Sequence, residues 1–129
     1  MIKKNYKDVK SKQATLTDGT PVENVFVRWL IDENDGAHNF AMRRFEIKPK
    51  TKVPLHNHLQ DHEIYILSGD GKFYNDSGQE EIVSSGDVVY IPPNENHAIE
   101  NISKSELVFL CLIPYLKQEE EKPKIIPNE

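Results

Sequence analysis

Apolar and polar residues alternate along several short runs of the chain, and this period of two is typical of β-strands with one buried face. In residues 41–47 the odd positions are Ala41, Arg43, Phe45 and Ile47, so Arg43 is the one charge on an otherwise apolar face. No segment shows a helical period of adequate length. The pattern therefore predicts nine strands, at residues 23–32, 39–48, 53–58, 62–68, 72–75, 79–83, 87–91, 96–101 and 106–114.

Glycine-containing turn signals separate these runs, for example Asp18-Gly19 and Asp35-Gly36. Many short strands joined by such turns favour an all-β fold, either a sandwich or a barrel of antiparallel strands. We expect one β-barrel domain over residues 15–116. The Lys-rich residues 1–14 are expected to form an N-terminal arm or an edge strand. Residues 117–129 are so charged that we expect a flexible tail that buries little surface.

Composition narrows the class of protein further. The chain has 129 residues and a net charge of −5, which fits a single domain and disfavours nucleic acid as a partner, because nucleic-acid binding needs a basic face. The single cysteine, Cys111, excludes an intrachain disulfide and a Cys-rich zinc site. The first ten residues contain no apolar signal segment, and no apolar run is long enough for a membrane helix. We therefore expect a cytoplasmic protein with no membrane association.

Three of the five histidines lie within the heptapeptide HNHLQDH, at His56, His58 and His62. Imidazole is the most common protein ligand of transition metals. If His56 and His58 lie on one strand, their side chains project from the same face, and His62 follows at the start of the next strand. Two neighbouring strands can then direct three imidazoles at one point, with His97 added from a third strand. A helical zinc pair of His58 and His62, or a surface loop of unrelated histidines, is the alternative.

A second patterned segment, GDVVYIPPNENHAIEN, contains Gly86, Pro92, His97 and Asn101, with five, four and three residues between them. The two segments together resemble the paired sequence motifs of the cupin superfamily. The first motif is matched by His56, His58 and Gly69, and the second by Gly86, Pro92, His97 and Asn101. This resemblance implies the cupin double-stranded β-helix, a jelly-roll barrel of antiparallel strands.

The chain departs from the two motifs at three positions. Lys50 and Asn94 stand where the motifs have glycine, and asparagine tolerates the left-handed backbone conformation. His62 stands where the first motif has its glutamate ligand. The chain therefore resembles the small single-domain cupins with a four-histidine centre, and in particular a manganese-binding bacterial type. That resemblance implies a metal site formed by His56, His58, His62 and His97.

The expected cofactor is one divalent transition-metal ion per chain. Manganese is favoured by the resemblance alone, because ligation by nitrogen favours copper, nickel and zinc over manganese and iron. Four neutral imidazoles leave the charge of the ion uncompensated, so the site is expected to attract an anionic ligand. An octahedral ion would keep two open positions, whereas tetrahedral zinc with four histidines would be a closed, structural site.

Three further residues are candidates for the substrate pocket. Arg43, on an inward strand face, is predicted either to bind an anionic substrate or to form a structural ion pair. Phe109 and Cys111 share strand parity and are candidates to line the pocket. For Cys111 a role in core packing is favoured, since apolar residues surround it in the sequence.

The resemblance implies a metal-dependent oxidoreductase that cleaves a small, anionic organic substrate with oxygen or peroxide. A non-catalytic module that binds or senses a small molecule is the first alternative, and a metal-dependent isomerase is the second. No catalytic residue beyond the metal is evident. A homodimer is also expected, with apolar positions near Val25, Val27 and Trp29 exposed at its interface.

Overall fold

A computed structural model of the protein describes residues 1–116, and the predicted tail at 117–129 lies outside the described residues. Within them, helical structure is limited to two short 3₁₀ turns, Tyr6–Asp8 and Glu33–Asp35. No helix of the described residues is long and apolar enough to cross a membrane. The strands are β1 (Lys12–Thr15), β2 (Pro21–Ile31), β3 (Phe40–Ile47), β4 (Lys52–His56), β5 (His62–Ser68), β6 (Gly71–Asn75), β7 (Glu80–Val83), β8 (Val88–Ile91), β9 (His97–Asn101) and β10 (Leu107–Pro114).

The strands form two antiparallel sheets that enclose one core. The larger sheet has the order β1-β2-β3-β10-β5-β8, and the smaller has the order β4-β9-β6-β7. The predicted all-β antiparallel fold is confirmed, and each of the nine predicted strands is present with ends within two residues of the prediction. The additional strand, β1, is an edge strand paired with β2. It lacks a clear apolar alternation because Ala14 is its one buried residue.

The period of two decides which side chains enter the core. In β5, His62, Ile64 and Ile66 are buried, whereas Glu63 and Tyr65 point outward and are exposed. β10 crosses the middle of the larger sheet between β3 and β5. Its inward positions include Leu107, Phe109 and Cys111, none more than 2% exposed. The inner face of the larger sheet thus carries both core residues and predicted site residues.

The predicted exposed interface on β2 is wrong. Val25 is 2% exposed and Val27 is 7% exposed, because the odd positions of this strand from Val25 onward face the core. Trp29 is half-buried and packs against the same core. The homodimer stays a prediction, but these residues do not supply an exposed apolar surface for it.

Several turn positions adopt a left-handed backbone conformation. Among the non-glycine residues with this conformation are Lys50 (φ 61°) and Asn94 (φ 65°), the two positions where the motif resemblance led us to expect glycine. Gly69 (φ 85°) follows β5, and a Cβ atom there would overlap the carbonyl oxygen of Glu106. Only glycine fits this close approach between the end of β5 and the start of β10.

Asn101, the last residue of the second motif, has a structural role. Its side chain is 1% exposed and donates hydrogen bonds to the carbonyl oxygens of Ile47 (2.8 Å) and Ser105 (2.9 Å). Its carbonyl oxygen accepts bonds from the backbone N–H and the hydroxyl of Ser103. Asn101 therefore fixes the turn between β9 and β10 and ties it to the end of β3.

Candidate metal centre

The four motif histidines come together inside the barrel, from both sheets. His56 ends β4 and His97 begins β9, and these two residues are paired across the smaller sheet with ring centroids 4.2 Å apart. His58 lies two residues beyond the end of β4, so the prediction that His56 and His58 share one strand is wrong. His62 begins β5 in the larger sheet. The turn between β4 and β5 carries the chain from one sheet to the other, which makes these histidines face each other across the interior.

Three of the imidazoles make the same kind of hydrogen bond to the main chain. The Nδ1 atoms of His56, His58 and His97 lie 2.7–2.8 Å from a carbonyl oxygen, that of Pro54, Gln60 and Glu95 respectively. A carbonyl oxygen only accepts hydrogen bonds, so each of these Nδ1 atoms carries the proton and donates it. Each Nε2 atom is therefore left with a free lone pair, as a metal ligand requires.

The three histidines that make this hydrogen bond also form one compact group of candidate metal ligands. One ligand nitrogen from each of His56, His58 and His97 lies within 4.8 Å of the others. His62 lies outside this group of three, although its Nε2 atom is 2.5 Å from the Nε2 atom of His58. The structure thus supports a three-histidine group, and the fourth ligand stays a prediction.

Burial favours the neutral form of His58, His62 and His97. Desolvation, assisted by the positive charge of Arg43 and by the other histidines, lowers the pKa of His62 from 6.5 to about 2. Desolvation likewise lowers the pKa of His97 to about 4 and that of His58 below its ordinary value. Neutral imidazoles with free Nε2 atoms are the form that binds a divalent transition metal. The donor set therefore fits the ion that the fold family implies.

Arg43 is a buried cation without a carboxylate partner among the described residues. Its side chain comes from the inner face of β3 and is 8% exposed. Nη2 contacts Nδ1 of His62 at 3.2 Å and donates to Sγ of Cys111 at 3.1 Å, while the buried Nε atom has no hydrogen-bond partner. The guanidinium carbon lies 5.3 Å from the ring centre of Trp29 and 4.9 Å from that of Phe45. The alternative of a structural ion pair for Arg43 is not observed among the described residues.

Cys111 lies directly behind His62. Its Sγ atom is 2.8 Å from Nδ1 of His62, and the side chain is 2% exposed. Burial raises the pKa of the Cys111 thiol, although Arg43 acts in the opposite direction. The favoured interpretation, packing in the core, agrees with the burial of Cys111. Its polar contacts with Arg43 and His62 had no signal in the sequence.

A cavity of about 280 Å³ connects these groups. It is lined by the four histidines, Arg43, Phe109 and Cys111, and the remaining described lining is apolar except for two threonines and Gln60. No aspartate or glutamate is among these lining residues. All the site residues predicted from the sequence therefore border one cavity. Among its described lining residues, no carboxylate is present to balance the charge of Arg43 or of a bound metal ion.

Other candidate groups lie away from this cavity or act differently. His38 is exposed and lies in the segment before β3, and Glu63 is exposed on the outer face of β5. Asn57 donates to the side chain of Asn96 rather than to a histidine. Sequence reasoning missed the three orienting carbonyl groups, because every residue carries one and only the folded turn selects which imidazole it meets. It also missed Gln60, which lies at the cavity wall in the turn between β4 and β5.

Comparison with known proteins gives consistent matches. The family described as "Cupin domain" matches residues 43–113. An oxalate-binding protein of Thermotoga maritima is 38% identical over 82 residues, which cover 61% of this chain and 67% of that protein. Two solved structures are also similar. A polyketide cyclase of Streptomyces resistomycificus has a TM-score of 0.78 and 28% identity, covering 98% of this chain and 94% of its own. A protein of Thermotoga maritima described as a predicted oxalate decarboxylase has a TM-score of 0.72 and 26% identity, covering 87% and 97%.

Proposed function

The chain belongs to the cupin family, and we propose that it binds one divalent transition-metal ion inside the barrel and uses it, together with Arg43, to hold a small organic acid. One observation carries this proposal. Three oriented imidazoles and a buried guanidinium border the same cavity, and no carboxylate is among its described lining residues. A site with this surplus of positive charge favours an anionic ligand.

The metal ligands in this proposal are His56, His58 and His97, with His62 as the fourth. Manganese is the first ion to test, and iron, nickel, zinc and copper are the alternatives that nitrogen ligation allows. An octahedral ion held by these four ligands would keep two open positions, which the oxygen atoms of an organic acid could occupy. The apolar walls of the cavity, which include Ile64, would limit the access of water to that ligand.

Arg43 would bind the acid beside the metal. Removing a guanidinium from water costs several kcal/mol unless an anion compensates its charge. Arg43 has an unpaired Nε atom and no carboxylate partner among the described residues, so a bound carboxylate would supply the missing compensation. The similarity to an oxalate-binding protein makes oxalate the first acid to test.

A metal-dependent oxidoreductase that cleaves the bound acid is the second candidate function. A bound redox-active ion would supply Lewis-acid and electron-transfer chemistry at the centre of the histidine group. The described cavity lining favours this candidate over an isomerase, because it offers no carboxylate for proton transfer. In either function the chain's own residues bind and orient the acid, through Arg43 and the neutral imidazoles.

Elemental analysis of the purified, untagged protein tests the metal site. We expect about one ion per chain in the wild type, and loss of the ion in His97→Ala. His38→Ala is the matched control, because His38 is exposed and lies away from the cavity. Equal metal content in the wild type and His97→Ala would contradict the proposed site.

Calorimetric titration of the manganese-loaded protein with oxalate tests the anion site. We expect Arg43→Gln to weaken oxalate binding at least tenfold. Arg44→Gln is the control, because Arg44 adjoins Arg43 in sequence but pairs with Glu46 and does not line the cavity. Equal oxalate binding by the Arg43→Gln variant and the wild type would show that Arg43 does not bind the acid.

Consumption of oxygen or peroxide in the presence of oxalate distinguishes the two candidate functions. We expect consumption if the protein is an oxidoreductase and none if it only binds the acid.

A further inference from the structure

The fourth histidine differs from the other three in what holds its Nδ1 atom. His56, His58 and His97 each face a main-chain carbonyl oxygen. His62 faces Sγ of Cys111 at 2.8 Å and Nη2 of Arg43 at 3.2 Å. These two neighbours differ in what they offer the imidazole, because arginine only donates hydrogen bonds, whereas a thiol can either donate its S–H proton or accept a bond on its sulfur.

Two arrangements of the His62 proton are compatible with these distances. If Nδ1 accepts a bond from Arg43 or from the thiol S–H of Cys111, Nε2 of His62 carries the proton and donates it to Nε2 of His58, 2.5 Å away. In that arrangement Nε2 of His62 has no lone pair for a metal ion, and the lone pair on Nε2 of His58 is occupied as the acceptor. If Nδ1 instead donates its proton to the sulfur, Nε2 of His62 keeps a free lone pair, like the other three histidines.

The sulfur atom is the acceptor that permits the second arrangement. Within the part of the chain that the structure describes, the hydrogen-bond partners of the His62 Nδ1 atom are Arg43 and Cys111. Arg43 also donates to the sulfur at 3.1 Å, so the guanidinium retains a partner when it does not donate to His62. The three side chains are each less than 9% exposed, so water has little access to replace any of these contacts.

We propose that Cys111 is a positioning residue for His62: its sulfur accepts the Nδ1 proton of His62, and Nε2 of His62 thereby becomes the fourth ligand of the metal ion. This proposal rests on the metal site of the proposed function. In this role Cys111 acts on the metal ion only through His62. It acts by selecting which nitrogen of His62 carries the proton, as carboxylates and carbonyl groups do for histidine ligands elsewhere.

Metal affinity in a double-mutant cycle tests this role. The affinity for Mn²⁺ is measured by competition with a chelator for the wild type, Cys111→Val, His62→Ala and the double variant. Valine is similar to cysteine in volume but offers no acceptor. We expect Cys111→Val to weaken Mn²⁺ binding by about 10- to 100-fold. In the His62→Ala background the same change should have little effect, because Cys111 acts through His62.

Cys111→Ser provides the conservative variant, since its hydroxyl oxygen can still accept the Nδ1 proton. We expect it to recover most of the Mn²⁺ affinity that Cys111→Val loses. Water-proton relaxation of the manganese-loaded proteins supplies a second readout, because loss of His62 as a ligand opens one more position to water. Cys111→Val should therefore show more exchangeable water on the ion than the wild type and Cys111→Ser.

Nitrogen NMR of the zinc-loaded wild type reads the proton position directly and does not depend on any variant folding. A proton on Nδ1 of His62 is the expected result, and a proton on Nε2 would overturn the proposal. Equal Mn²⁺ affinity and equal hydration in the wild type and Cys111→Val would also overturn it, as would an equal loss with and without His62. A wild type that binds none of the metals would overturn the proposed function itself.

Discussion

At the scale of single residues, the chemistry of the site depends on which atoms each histidine meets. Three imidazoles donate Nδ1–H to carbonyl groups two residues away in the chain, and their Nε2 atoms are thereby left free to bind a metal ion. Burial lowers the pKa of His58 and His97, since a low-dielectric surrounding disfavours the imidazolium form. The residue that departs from this arrangement is His62, whose partners are side chains from β3 and β10.

The lowered histidine pKa values predict a loss of stability in mild acid. With chelator present, the unfolded chain binds a proton on His62 below its ordinary pKa of 6.5, whereas the folded protein does so only near 2. The unfolded state therefore binds more protons in this range, and the free energy of unfolding falls as the pH falls below 6.5. We expect His62 alone to contribute about 1.4 kcal/mol per pH unit. Urea unfolding at pH 7, 6 and 5 measures this slope.

Two variants locate the origin of that slope. Replacement of His62 by asparagine should make the free energy of unfolding depend less on pH, by the equivalent of about one bound proton. His38→Asn should leave it unchanged, because His38 is exposed. A slope that is the same in all three proteins would show that the buried histidine does not control stability in acid.

The left-handed turn at Lys50 predicts a stabilising substitution. Lys50 is exposed and has a φ of 61°, a conformation that costs a residue with a Cβ atom about 1–2 kcal/mol. We expect Lys50→Gly to raise the free energy of unfolding by about 1 kcal/mol, since glycine adopts this conformation without strain. Lys50→Ala removes the same charge but keeps the Cβ atom, so it should give no such gain in urea unfolding.

At the scale of the elements, alternation within each strand assigns residues to the core and to the cavity together. β5 buries His62 on the same face as Ile64 and Ile66, and β3 buries Arg43 on the same face as Ile47. The site is thus an extension of the core at one end of the strands rather than a separate surface feature. Connections between the strands must be held accurately for this arrangement, and Asn101 does so between β9 and β10.

Asn101→Ala should destabilise the protein by about 3 kcal/mol, because two buried carbonyl oxygens lose their donor and Ser103 loses its acceptor. Chemical unfolding with chelator present measures this loss without a contribution from metal. Asn39→Ala is the control, since Asn39 is exposed, and it should change stability by less than about 0.5 kcal/mol. A loss below about 1 kcal/mol in Asn101→Ala would mean that the turn is held by other contacts.

At the scale of the whole molecule, the histidine group connects the two sheets. His56 and His97 belong to the smaller sheet, His62 belongs to the larger one, and His58 lies in the turn between them. A metal ion bound by this group, as proposed above, would therefore hold both sheets in their folded arrangement. Because such a site does not exist in the unfolded chain, the free energy of metal binding adds to the stability of the fold.

Metal binding should raise the melting temperature in proportion to this linkage. At a free Mn²⁺ concentration of about 100 times Kd, we expect a gain of about 2.7 kcal/mol in the free energy of unfolding. Thermal unfolding with chelator and with Mn²⁺ measures the difference. His97→Ala should abolish the metal-dependent gain, while His38→Ala should retain it in full. A gain that persists in His97→Ala would place the stabilising metal elsewhere.

Much of the fold could be predicted from the sequence because its signals are local. The alternation of apolar and polar residues located nine strands and the buried faces of β3 and β5, and the two spaced motifs brought His56, His58 and His97 into one hypothesis. The same local reasoning left open whether residues 1–14 form an arm or an edge strand, because the pattern of β1 is weak. It misjudged Val25 and Val27, since the sequence of a strand does not show which of its faces is covered by other residues. It also placed His58 on a strand that ends at His56.

Tertiary structure alone decided the contacts between residues far apart in the chain. Arg43, His62 and Cys111 lie on three different strands, and β10 brings them together because it lies between β3 and β5 in the larger sheet. Their hydrogen bonds depend on distances of about 3 Å that no spacing in the sequence encodes. The sequence by itself thus determined the kind of barrel and most of the candidate ligands. The folded arrangement determined that Arg43 has no carboxylate partner among the described residues and that a sulfur atom faces the fourth histidine, because burial and hydrogen bonding are properties of assembled strands.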